Sequence, residues 1–426
     1  MYLSRNFLWF VALAVILSST GCRLMQPPDE CSHIDNSIAN TTAQVDLANN
    51  IGHVRSCYDG IEGLESIGDL SMEGLLDGQS VALELDECCC IAAVNATLAD
   101  VVDKERKASC CTIGYNGCLD QFLAGTALHL RNKAAGTAGE LFLRLVEVHL
   151  QKDLVLQTLA RLSEFREASQ FAADQGLATD QADKELDANE IELKRKLLTI
   201  EQNQLQITVN LSALLGIERG SLNIIQPIFD LHPVYENVNV EFEIQTAFST
   251  RPDLDSFSDG CGGVDPECFE LLAQLSPAIG IGIVSKIKKA ILLNRISDKQ
   301  KCAAPTRRQQ LQKIKSARQD LVRTQVTSAV IDIESGYRKL ILENEDLQRL
   351  EMRMQALESA AEINPIETFV ESVKNWMQQQ SVRSQRITTA VDFEIAKIKL
   401  ITSTGRWNEI CGIPGLSSSK CDCCTN

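Results

Sequence analysis

Proline and aromatic residues are scarce. Of 426 residues only 10 are Pro, and 5% are Phe, Trp or Tyr. So few breakers and so few rings do not suit a large β-sandwich or a propeller; they suit long helices. Basic residues are also in deficit: 41 Lys and Arg stand against 57 Asp and Glu, a net charge of −16. Nucleic acid is therefore not expected as a partner, because phosphate binding needs a basic surface. Beyond the N-terminus no apolar run reaches about 18 residues, so no helix of the mature chain is expected to span a bilayer. Phosphate-loop GxxxxGK, HExxH and GxSxG patterns are all missing. The five histidines, His33, His53, His129, His149 and His232, are isolated from one another. Neither catalysis, nor a cofactor, nor a metal is expected. Glu343 and Asp346 form a carboxylate pair at helical spacing, which an ordinary charged helix face explains.

What is present begins with a targeting segment. Arg5 precedes the 11-residue apolar stretch Phe7–Leu17, followed by small residues up to Gly21-Cys22. That is a secretory signal, too short for a comfortable transmembrane helix. The ending resembles a bacterial lipoprotein signal, although Ser19 stands where Leu is usual. The resemblance implies cleavage before Cys22 and acylation of Cys22, with attachment to outer membrane lipid. Sixteen cysteines are too many for a reducing compartment without metal. No paired CxxC exists and no His lies near the Cys groups, so disulfides are expected, with connectivity that sequence does not give.

Residues 22–80 are polar and mixed, with Pro27-Pro28, and read as a linker or arm. Two units of the same order follow, 81–220 and 235–410, before a Cys-rich tail at 411–426. In the first, helix is expected over 84–108, a Cys- and Gly-containing piece over 109–133, and long helices over about 137–173 and up to Leu215-Gly216. In the second, a short helix is expected near 240–250, a Cys/Gly-rich piece to about 305, and long helices over about 308–360 and up to Gly405. From Gly176 in the first break to Gly216 is 40 residues; from Pro365 in the second break to Gly405 is also 40. The equal spacing predicts an internal repeat. Leu186, Leu193, Ile200, Ile207 and Leu214 recur every seven residues, and Val322, Val326, Ala329, Ile333, Leu340 and Leu347 keep a similar rhythm. That period keeps an apolar seam on one side of a left-handed supercoil. Helices of this length joined by so short a break must fold back as antiparallel hairpins. The fold class is mainly α: two long helical hairpins. They either close into a four-helix bundle or stand side by side in the wall of a larger assembly. Scattered apolar positions such as Leu143, Leu154, Leu198 and Leu205 favour the second.

Several segments carry a resemblance to the TolC-like outer membrane efflux family. Ala247-Phe-Ser-Thr-Arg-Pro-Asp-Leu254 resembles the motif that follows the short helix of each half. Gln175-Gly-Leu-Ala-Thr179 resembles the hairpin tip, and Leu-Leu-Gly at 214–216 and Gly-Arg-Trp at 405–407 resemble the half ends. The resemblance covers about 80–410. It implies a homotrimeric α-helical tunnel for passive export, working with a periplasmic adaptor and an inner-membrane pump. It implies an adaptor-docking tip at Gly176, Leu177, Thr179 and Pro365, and an aperture carboxylate at Glu371, where the family has Asp. The family also carries strand pairs of a β-barrel in each half. Here only 278–284 alternates like a strand, and a spanning strand needs about 9–11 residues. Little or no barrel is therefore expected, with cysteines stapling the shortened ends. The other class that fits is a non-channel coiled-coil lipoprotein serving as an envelope tether or spacer.

Overall fold

Where the helices stop sets the architecture. The computed structural model describes residues 81–113, 117–174, 180–217, 225–255, 298–360 and 365–414. Strand β1 (Val81–Leu83) leads into α1 (Leu85–Val94) and α2 (Thr97–Ile113). The long helices α3 (Gly117–Asp174) and α4 (Asp180–Leu215) complete the first half. The second half runs β2 (Ile225–Pro227), α5 (Val240–Thr250), a single turn α6 (Pro252–Asp255), and the long helices α7 (Asp298–Ala360) and α8 (Pro365–Thr404). A last turn, α9, covers Trp407–Ile410. Glycine stops both halves: Gly216 and Gly405 have φ of 72° and 81°, the left-handed region open to a residue without Cβ. The Asn239 side chain accepts the Phe242 N–H at 3.1 Å and caps α5. Pro365 occupies the first position of α8, where its missing N–H costs nothing.

The repeat is real at the level of packing. β1 and β2 pair in parallel, Val81 opposite Ile225 and Leu83 opposite Pro227. In each half the end of the short helix meets the glycine that ends the last long helix. Asn95 lies against Gly216, and its side chain donates to the Leu215 carbonyl at 2.8 Å. Arg251 lies against Gly405, and Thr250 Oγ1 donates to the Thr404 carbonyl.

The heptad residues are the core. Leu186, Leu193 and Ile200 of α4 pack with Val148, Val155 and Leu162 of α3, and with Val373 of α8. Val322, Val326, Ile333 and Leu340 of α7 pack with Phe393, Ala396 and Leu400 of α8. The long helices follow the packing order α4, α3, α8, α7. α3 and α8 are the middle pair, and they approach closely because Gly136 faces Thr402; a Cβ there would sit 2.1 Å from Thr402 Oγ1. Among the described residues α4 and α7 share no substantial packing, so the four helices form an open layer and not a closed bundle.

Several sequence expectations need revision. Residues 117–133 are not a loop piece but the start of α3, and α7 begins at Asp298 and continues through Pro305. Gly136 and Gly139 are helical positions where Thr402 and Cys89 come close, so they serve contact and not a break. Among the described residues β1 and β2 are the only strands, and the first-half position of the family's strand pair holds helix on both sides of 114–116. The 278–284 candidate, Cys22 and the signal segment lie outside the described residues. No described helix is long and apolar enough to cross a membrane. Among the described residues there is one disulfide: Cys90 of α1 joins Cys411, just after α9, across 321 positions. It ties the first repeat to the end of the second and does not staple a strand site. Glu343 is not part of a solvated face; it is buried in the α7–α8 seam, where Thr389 Oγ1 donates to it at 2.7 Å and its Oε2 has no partner. Asp346 does face solvent, paired with Arg349.

Candidate functional site

Of the candidate residues, Pro365 and Glu371 lie in the first turns of α8. Gly176, Leu177 and Thr179 lie outside the described residues, and Pro365 is described only as the first residue of α8. Glu371 stands half-exposed on α8 and accepts from Arg353 of α7 at 2.9 Å. The carboxylate is thus an ion-paired link between the two helices of its hairpin and not an unpartnered charge. Two turns inside the first break, Ser169 Oγ donates to Asp183 at 2.7 Å, and Arg166 bridges Asp187 and Glu190. Lys194 and Arg166 hold the Glu190 carboxyl below its usual range. Between the hairpins, Phe165 of α3 meets Phe369 and Trp376 of α8 edge-on at 6.0 and 5.5 Å. Lys374 reaches Glu185 of α4 at 3.4 Å. Ring contacts of this kind and one exposed ion pair fasten the two hairpins near their ends.

Farther along, the middle pair is joined by side chains of opposite hairpins. Thr388 Oγ1 donates to Glu147 at 2.6 Å, Gln151 donates to the Ser384 carbonyl at 2.7 Å, and Arg144 pairs with Asp392. Such bonds fix the register of α3 against α8, which apolar contacts alone leave free to slide.

The opposite region is anchored far more firmly. Arg251, 4% exposed, forks onto Asp253 through two bonds of 2.8 Å and also reaches Gln325 of α7 and the Ser403 carbonyl of α8. Burial alone would raise the Asp253 carboxyl. The Arg251 bonds and the nearby charges outweigh it and hold the group below the usual carboxylate range. His129 of α3 lies 3.6 Å from Asp253. Burial pushes its pKa down to about 4, outweighing the attraction of Asp253, so the ring is neutral at pH 7. The Arg-Pro-Asp motif is therefore a buried clamp among α3, α7 and α8. In the first half the clamp comes from another place. Arg131 of α3 donates to the Ala93 and Val94 carbonyls and to Asp100 and Asp103. Trp407, 1% exposed, docks by donating its backbone N–H to Asn132 and its ring N–H to Thr402. Sequence reading singled out Gly-Arg-Trp and Arg-Pro-Asp but missed Arg131 and Asn132. A charged and an amide residue directly after the largely apolar run 122–130 were the available signal.

The outer flanks differ from both regions. On α4, Ile191, Leu198 and Leu205 recur every seven residues and are exposed, Leu198 at 62%. On α7, Ile331, Leu342 and Met352 are exposed, Leu342 at 61%. Of the earlier candidates for outward contacts, Leu198 and Leu205 face out, whereas Leu143 is buried against α1 and α8. Among the described residues no cluster of three or more His, Cys, Asp or Glu is placed to hold a metal.

No protein-family model matches the chain, and no curated protein does either. Among solved structures, the CmeC outer membrane channel of Campylobacter jejuni is similar with a TM-score of 0.55 and 8% identity, over 75% of this chain and 85% of that one. The fold is that of a TolC-like channel. The MtrE outer membrane channel of Neisseria gonorrhoeae, in its open state, aligns at 10% identity and a TM-score of 0.48, covering 75% and 88% of the two chains. The likeness to the CmeC channel is one of fold, and at that level the expected mainly α, efflux-type fold is borne out.

Proposed function

We propose that the chain is an outer membrane efflux component whose three copies close a helical tunnel for passive export across the periplasm. The observation that carries this reading is the open layer: α4 and α7 each present an apolar stripe that no other described helix covers. In a ring, α4 of one copy meets α7 of the next, and a closed ring leaves no stripe exposed. In this reading an inner-membrane pump and a periplasmic adaptor deliver the solute. Gly176, Leu177, Thr179 and Pro365 form the adaptor-docking tip, and Glu371 rings the aperture with its charge moderated by Arg353. The signal segment is removed and Cys22 is acylated, holding the chain to outer membrane lipid.

The test is the mass of the detergent-purified chain. Three copies are expected, and Leu198→Asp or Leu342→Asp should leave one. A single-copy wild type overturns the tunnel. One observation favours the tether reading instead: helix occupies the described part of the first-half strand site. Recordings in planar bilayers separate the two, since a trimer without conductance supports the tether.

A further inference from the structure

Charge is distributed unevenly along the axis of the long helices. Between Asp298 and Arg323, α7 carries eight Lys and Arg against two Asp. Everywhere else 33 Lys and Arg face 55 Asp and Glu. This basic stretch lies at the end away from the two breaks. Arg251 bridges Gln325 and Ser403, so α7 is level there with the last residues of α8. Upstream of that level Arg323 stacks over Phe248 at 5.5 Å, and Arg318 approaches Asp253 to 4.0 Å. The helix then continues back to Asp298, about 20 residues more, or ~30 Å. Lys313 is exposed and Lys315 half-buried along it, and the sequence adds Lys299, Lys301, Arg307 and Arg308. At the other end the first 13 residues of α4, 180–192, carry six Asp and Glu against Lys184.

We infer that the first third of α7 is a docking segment for an anionic membrane surface, which its charge complements. Clustered cations at a lipid headgroup layer gain about 1 kcal/mol each. The acidic remainder of the chain is repelled by the same surface, so the polarity also orients the molecule with its hairpin ends pointing away. The inference uses charge and helix position only and does not depend on the channel reading.

The experiment measures binding of the full chain to phosphatidylcholine vesicles with and without about one-third phosphatidylglycerol, at low and high salt. An acyl group at Cys22 contributes equally to both vesicles, so their difference isolates the charge. Tighter binding to the anionic vesicles, abolished by salt, is expected. Lys313→Glu with Lys315→Glu should weaken it about 25-fold or more, at about fivefold per cation lost. Arg338→Glu with Lys339→Glu makes the same charge change at exposed positions farther along α7 and should alter it less than about twofold. Equal binding to both vesicles, equal loss in the two variants, or preference for double-stranded DNA over the anionic vesicles overturns the inference.

Discussion

The two halves end alike and are locked differently. Each sets the end of a short helix against a left-handed glycine, Asn95 on Gly216 and Arg251 on Gly405. In the first half the neighbouring carbonyls are satisfied by Arg131, whose carboxylate partners Asp100 and Asp103 remain partly in water. In the second half Arg251 and Asp253 are both buried, and the pair also holds α7 and α8. One duplicated geometry therefore carries two energetic designs. The second stores more of its stability in a charge pair that tolerates no missing member.

The sharpest way to break that comparison is Arg251→Met. It strands the Asp253 carboxylate, and a loss of about 3–5 kcal/mol in urea unfolding is expected. Arg131→Met should cost about 1–3 kcal/mol, because Asp100 and Asp103 can turn to solvent and only the carbonyls lose a partner. Equal losses would refute the asymmetry.

Acid sharpens the same contrast. His129 is neutral in the fold with a pKa of about 4 and ordinary, near 6.5, when unfolded. The unfolded chain then binds the extra proton between those values. Stability is full above about pH 6.5 and falls as pH drops toward 4, by about 3 kcal/mol at most. Urea midpoints for wild type and His129→Gln should diverge over that window and run parallel above it. A wild-type profile as flat as the variant's would remove His129 from the clamp.

The smallest effect separates the two glycines. Gly405→Ala places a Cβ 3.1 Å from the Arg251 backbone in addition to the strained φ, whereas Gly216→Ala meets the Asn95 side chain at an ordinary 3.4 Å. About 2 and about 1 kcal/mol are expected, read from thermal unfolding.

Much of this was legible beforehand. Leu186, Leu193 and Ile200 announce their seam by spacing, and Gly216 and Gly405 announce the helix ends. The equal separation of break and stop announces the duplication. The long start of α3 was hidden because the cysteines and glycines of 109–133, Gly117 and Gly125 among them, look like a loop. Glu343 was misread because a buried and a solvated carboxylate have the same spacing on a helix. The Arg251–Asp253 clamp was visible as a motif, but its partners Gln325, Ser403 and His129 lie 74, 152 and 124 positions away. No local pattern joins them.

By itself the sequence determined the helices, their seams and their pairing into hairpins, because heptad period, glycine stops and short breaks are local constraints. Only the tertiary structure decided that the hairpins stand side by side and stay open. An apolar seam demands one partner helix and says nothing of a second. The small residue at Gly136 and the polar links of Glu147, Gln151, Ser384 and Thr388 join α3 to α8, and α4 and α7 pack on the outer flanks of that pair.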